Sequence, residues 1–168
     1  MTDVVTIRRA LKTCKTIAVV GLSGNESRPS FFAAKYMQEH GYRVVPVNPG
    51  YDEILGEKCY ASLLDIDFPI DMVDVFRRAE DVLPIAEQAV QIKAKCLWQQ
   101  LAINNEQAHE LAVSNDLISV ADHCMKIEFA RLFGGLNWAG VNTKVISAKR
   151  PSYFANGPLP RDAGVGNE

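Results

Sequence analysis

The stretch Thr16-Ile17-Ala18-Val19-Val20-Gly21-Leu22-Ser23-Gly24-Asn25-Glu26-Ser27-Arg28-Pro29 decides the fold. Ile17 to Val20 is an unbroken apolar run rich in β-branched side chains, the pattern of a parallel strand covered on both faces. Gly21 and Gly24 open a loop in which backbone can turn tightly and approach a ligand closely. Ser27 is suited to cap a helix and Pro29 to sit in its first turn. That helix continues through Phe31, Phe32, Ala34, Tyr36 and Met37. A strand, a glycine-containing loop and a helix start aim free N–H groups and a positive dipole end at one spot. An anion, usually a phosphate, is favoured there. An ordinary βα turn is the plain alternative, and the loop alone does not decide between them.

On the N-terminal side, Asp3 to Leu11 has helical apolar spacing, with Thr2 or Asp3 as its cap. On the C-terminal side, His40-Gly41 closes the Pro29–Glu39 helix, and Tyr42–Val47 reads as a second strand. Pro46 in that strand removes a ladder donor and argues for the sheet edge. A third strand is expected at Ile70–Phe76, a helix at about Asp81–Ile92, and a fourth strand at Cys96–Trp98. Asn104 or Asn105 caps the next helix. Leu117–Val120 is the fifth strand, and Met125–Phe133 a last helix. Tyr51 to Leu64 reads as a short extended piece with one helical turn near Ser62.

Strands alternating with helices predict an α/β, Rossmann-like, doubly wound parallel sheet of about five strands, in the order 3-2-1-4-5. The expected division is a domain over residues 1–138 and a Pro/Gly-rich extension, extended or partly disordered, over residues 139–168. Ligands in such sheets bind at the carboxyl ends of the strands, where the order reverses. Four segments converge there: Gly21 to Arg28, Asn48-Pro49, Phe76-Arg77-Arg78 and Gln99-Gln100. Two arginine sources and one helix start suit a ligand with several phosphates. Arg77 and Arg78, being neighbours, should diverge, with Arg77 on the ligand and Arg78 in a surface pair.

The 168 residues, 48% hydrophobic, fit one domain with a real core. A net charge of −2 gives no basic field for nucleic acid or an anionic membrane. No apolar run approaches a bilayer span or a signal-peptide core, so a cytoplasmic protein is expected. Cys14, Cys59, Cys96 and Cys124 lack metal-ligand spacing and read as buried or half-buried free thiols; no metal site is expected. Asp74 in an apolar strand is expected near the crevice mouth or accepting backbone or arginine hydrogen bonds.

The loop lacks the G-x-G-x-x-G fingerprint, and strand 2 ends in Asn48 where dinucleotide binders carry an acid, which disfavours NAD. At this point the residues resemble a known family. Gly21-Leu22-Ser23 with Arg28-Pro29-Ser30, Val47-Asn48-Pro49, Val73 to Arg78 and Leu97 to Leu101 are similar to the stand-alone CoA-binding domain proteins. These share their fold with the N-terminal domain of the succinyl-CoA synthetase alpha subunit. The resemblance covers about Ile7 to Leu136. It implies that Gly21, Leu22, Ser23 and Arg28 hold CoA phosphates, that Asn48 and Pro49 line the adenosine side, and that Phe76 and Arg77 flank the nucleotide or pantetheine. Gln99 leaves the fourth strand toward the same crevice. Two departures stand out. Ala102 stands where the family often has Gly, a change expected to narrow the pocket floor, and His123 stands where it often has Arg.

The expected function is binding of coenzyme A or an acyl-CoA without catalysis, since the synthetase chemistry needs a phosphorylated histidine in another domain. Two rivals are kept: a small nucleotide- or CoA-dependent transferase or reductase using Asp74 or Cys124, and an interaction protein with a vestigial crevice. Self-association as a homodimer, or docking of another protein, is left open.

Overall fold

The computed structural model describes residues 2–134. Seven strands and five helices follow in chain order: α1 Val4–Thr13, β1 Thr16–Val20, α2 Pro29–Glu39, β2 Arg43–Val47, β3 Glu53–Ile54, β4 Glu57–Lys58, β5 Met72–Val75, α3 Val82–Gln91, β6 Cys96–Gln99, α4 Glu106–Ser114, β7 Ile118–Val120 and α5 Met125–Phe133. The expected 139–168 extension lies outside the described residues. Within them no helix is long and apolar enough to cross a membrane.

Five strands form one parallel sheet in the order β2-β1-β5-β6-β7. Helices cover both faces, the doubly wound Rossmann-like arrangement. Outside β2, Tyr60 makes an isolated parallel bridge to Val47. Counting that rudimentary position as third, the sheet follows the 3-2-1-4-5 pattern and continues with β7. The strand assignment within it needs one correction. Ile70–Phe76, read as the third strand, supplies β5 and pairs with β1 on the opposite side from β2. The third position belongs instead to the short stretch around Tyr60. A single 3-10 turn at Leu63–Asp65, capped by Ser62, then carries the chain toward β5.

Alternation along β1 explains the two-sided core. Ile17 and Val19 face α1, α2 and α5, packing with Leu11, Met37, Trp98 and Met125. Ala18 and Val20 face the other way, onto Val73, Val75 and Leu97, beneath Val82 and Ala86 of α3 and Ala108 of α4. Each large side chain removed from water contributes about 1.5–3 kcal/mol. Asp3 caps α1 by accepting the Thr6 N–H at 2.9 Å, and Asn105 caps α4 through the Ala108 N–H at 2.9 Å. The N-cap of α2 is Arg28, not Ser27, with Pro29 as the first helical residue. Ser27 is drawn off by Asn25, whose Oδ1 accepts both its N–H and its hydroxyl.

Candidate functional site

The loop between β1 and α2 is built on its backbone. Gly21 has φ +87°, and a Cβ there would lie 2.7 Å from the Phe76 carbonyl oxygen and 3.2 Å from Arg77 Nε. Only glycine lets the β1 and β5 exits approach this closely while the chain turns through left-handed space. The Gly21 N–H donates to Val47 O at 2.9 Å, extending the β1–β2 ladder by one bond. Ser23 then tightens the turn: its N–H donates to Ser30 Oγ at 3.2 Å, and its hydroxyl oxygen accepts the Asn25 N–H at 3.1 Å. Leu22 is fully buried, so this residue offers the crevice backbone only. Arg28 is exposed and, among the described residues, makes no ion pair.

The exit of β5 adds the second cation. Arg78 turns outward and pairs with Glu80 and Asp81, each at 3.2 Å. Arg77 turns inward over Gly21 and lines a cleft of about 290 Å³ with Val20, Val47, Ser62, Ile85 and Gln88. The two neighbouring side chains diverge, as adjacency predicts. The cleft thus sits at the carboxyl ends of β1 and β2, with the Arg77 guanidinium, which makes no ion pair among the described residues, at its edge.

Asn48 ties the two loops together. Its Nδ2 donates to Leu22 O at 2.9 Å, and its Oδ1 accepts the Gly50 N–H at 2.9 Å. An aspartate could not make the first bond, since a carboxylate would face a carbonyl oxygen. Pro49 is exposed beside it, and Phe76 is half-buried. Gln99 is not brought to the cleft. It is fully buried, and both ends of its amide are used by Asn105, whose N–H it accepts at 2.7 Å. It braces the start of α4.

Sequence reasoning missed Tyr51. Its ring lies over Gly24, where a Cβ would meet Cε1 at 2.7 Å. An aromatic directly after Asn48-Pro49-Gly50, half-exposed beside a phosphate-type loop, was the available signal. Ala102 does not narrow a pocket floor: it is exposed on the turn after β6, with φ +63°, its N–H donating to Asp122 Oδ1 at 2.6 Å. Left-handed backbone at a non-glycine costs about 1–2 kcal/mol, so the substitution stores strain instead. His123 faces Glu128, its Nδ1 lying 3.2 Å from Oε1, and Glu128 also pairs with Arg131.

Asp74 is 3% exposed rather than at the mouth. It accepts from Gln100 Nε2 at 2.8 Å, and Gln100 Oε1 in turn accepts the Met125 N–H at 3.4 Å. Burial pushes its carboxyl up to about 7, opposed by the Gln100 bond. Cys124, half-buried at the N-cap of α5, has its thiol pushed up by burial despite N–H groups from Ile127 and Lys126. A raised thiol is a poor nucleophile at neutral pH.

Comparison with known proteins places this geometry. The uncharacterized protein YneT of Bacillus subtilis (strain 168) is 41% identical over 124 residues, covering 74% of this chain and 92% of that protein. A solved structure of a hypothetical protein from Pyrococcus horikoshii OT3 is 42% identical with a TM-score of 0.76, covering 79% of this chain and 94% of that one. An ADP-forming acetate–CoA ligase of Methanocaldococcus jannaschii is 38% identical over 58 residues, which are 34% of this chain but only 8% of the ligase. The family model described as CoA binding domain matches residues 15–130, which include β1, the glycine loop, Arg77 and the first turn of α5. The chain belongs to the CoA binding domain family.

Proposed function

We propose that this protein binds coenzyme A or an acyl-CoA in the crevice at the carboxyl ends of β1, β2 and β5, without catalysis of its own. The observation that carries the reading is the meeting of the Gly21–Ser23 loop with Arg77 across a gap too narrow for a Cβ. The diphosphate lies beside the Gly21–Gly24 turn and the α2 start, with Arg28 and Arg77 as cations. Asn48 and Pro49 border the adenosine, and Phe76 the ribose or pantetheine. The 3′-phosphate of CoA suits a β2 exit that ends in Asn48 and carries no acid, whereas NAD loses the carboxylate that usually holds its ribose.

Titration calorimetry with CoA and with NAD tests this. CoA should bind at least about tenfold more tightly, roughly 1.4 kcal/mol. Arg28→Ala and Arg77→Ala should each cost about 1.5–3 kcal/mol of binding with little change in melting temperature. Both arginines are exposed and, among the described residues, form no ion pair, so the fold does not depend on them. Absence of CoA binding at millimolar ligand, or equal affinity for NAD, overturns the reading.

One observation favours the enzyme alternative: the perturbed carboxyl of Asp74, on the strand whose exit borders the crevice. Its burial and its bond to Gln100 point to a structural part. The protein should therefore turn over acetyl-CoA and succinyl-CoA no faster than buffer does. Turnover that disappears in Asp74→Asn would make it an enzyme.

A further inference from the structure

Building on the CoA reading of the crevice, we propose that Gln88 selects adenine. Its side-chain amide reads the edge of a base seated in the cleft between the β2 exit and α3, and Ser62 fixes which way that amide faces. The cleft, about 290 Å³, lies near the lower end of the range for ligand sites, about 300–1,000 Å³. It has room for one base. Val20 and Val47 close it from the sheet, Leu63 from the turn after Tyr60 and Ile85 from α3. None of these side chains can hydrogen-bond, so they favour the apolar face of a ring over a sugar or a phosphate.

Most of the polar lining is committed elsewhere. Arg77 is the cation assigned to the diphosphate, and Asp81 accepts from Arg78 Nε at 3.2 Å. Ser62 Oγ accepts the Leu64 N–H at 3.2 Å, and its hydroxyl donates to Gln88 Oε1 at 3.3 Å. Gln88 is the side chain left with capacity. Its Nε2 makes no hydrogen bond among the described residues, and its Oε1 keeps a second lone pair. Ile85 and Gln88 stand three residues apart on α3 and share one face, which sets the amide beside an apolar wall of the cleft.

Adenine offers a ring nitrogen that accepts next to an exocyclic amine that donates. An amide with Nε2 toward the ring nitrogen and Oε1 toward the amine satisfies both. Hypoxanthine carries a carbonyl oxygen where adenine has the amine, so Oε1 would then face an oxygen. A freely turning amide could offer Nε2 to that oxygen instead. The Ser62 hydroxyl holds Oε1 and opposes the turn, so selectivity comes from the two residues together.

Titration calorimetry on the full chain compares CoA with its deaminated analogue, in which hypoxanthine replaces adenine and every phosphate is unchanged. The wild type should bind CoA at least about tenfold more tightly than the analogue. Gln88→Leu should bind the two alike, through the phosphates. Gln88→Glu should weaken CoA binding at neutral pH, because a carboxylate has no N–H for the ring nitrogen. Ser62→Ala should narrow the preference while CoA still binds. Each variant is judged on the ratio of two affinities, which a partly unfolded sample does not change. If the wild type binds no CoA, the CoA reading fails and the adenine assignment with it. If CoA binds but deamination makes no difference, or the preference survives in Gln88→Leu, the adenine assignment alone is overturned and the CoA reading stands.

Discussion

Between about pH 4 and about pH 8 the protein should lose about 4 kcal/mol of stability that Asp74→Asn retains. The Asp74 carboxyl is pushed from its ordinary 3.8 up to about 7 by burial. Below the lower value it is neutral in both folded and unfolded chains, and burial carries no charge penalty. Between the two values the folded chain holds a proton that the unfolded chain has released, so stability falls as pH rises. Above about 7 the folded protein carries a buried carboxylate whose named partner is Gln100. The other ionisable groups that face it, Cys96 and Cys124, offer no positive charge. Asparagine keeps the acceptor for Gln100 Nε2 but does not titrate. Urea midpoints for the two proteins should therefore diverge as pH rises. Parallel profiles would mean that the carboxyl ionises freely in the fold.

Gly21→Ala should cost about 3 kcal/mol of folding stability and remove CoA binding. Two penalties combine at this position. The backbone sits at φ +87°, and the new methyl would press on the Phe76 carbonyl at 2.7 Å, a backbone atom that cannot swing aside. Gly41 separates the two effects, because it has φ +90° but nothing within 4 Å of a built Cβ. Gly41→Ala should thus cost only about 1–2 kcal/mol and leave binding intact. Denaturant unfolding and calorimetry on both variants provide the comparison. Equal costs at the two positions would mean that the close approach of β1 and β5 contributes nothing.

How far the sequence carried these features depends on whether each was local. Ile17–Val20 with Pro29–Glu39 announces a strand and a helix by periodicity alone, and the caps Asp3 and Asn105 follow from residue type. The divergence of Arg77 and Arg78 follows from their adjacency. The third position of the sheet did not follow, because it is filled by a single bridge at Tyr60, too short to leave a hydrophobic pattern. Side-chain pairings between segments were likewise hidden: Asp74 with Gln100 and Asn48 with Leu22 across 26 residues each, and Gln99 with Asn105 across the turn after β6. Each depends on which loops the topology sets side by side. Gln99 illustrates the cost, since its place at a strand exit pointed to the crevice while its amide is consumed in holding Asn105, the cap of α4.

The bridge at Tyr60 also bears on how copies of this protein can meet. A bare edge strand offers its N–H and C=O groups to any foreign strand. On the outer side of β2, the Pro46 carbonyl takes the Tyr60 N–H at 3.0 Å, the Asn48 N–H is given to Tyr60 O at 2.8 Å, and Pro46 has no N–H to offer. The opposite edge, β7, is three residues long, and the Ala121 N–H just beyond it is taken by Thr2 Oγ1 at 3.3 Å. In the described sheet each rim thus leaves only a short stretch of ladder open to strand addition. A second copy approaching edge to edge would meet few consecutive free N–H and C=O groups on the described sheet from which fibre-like stacking could start.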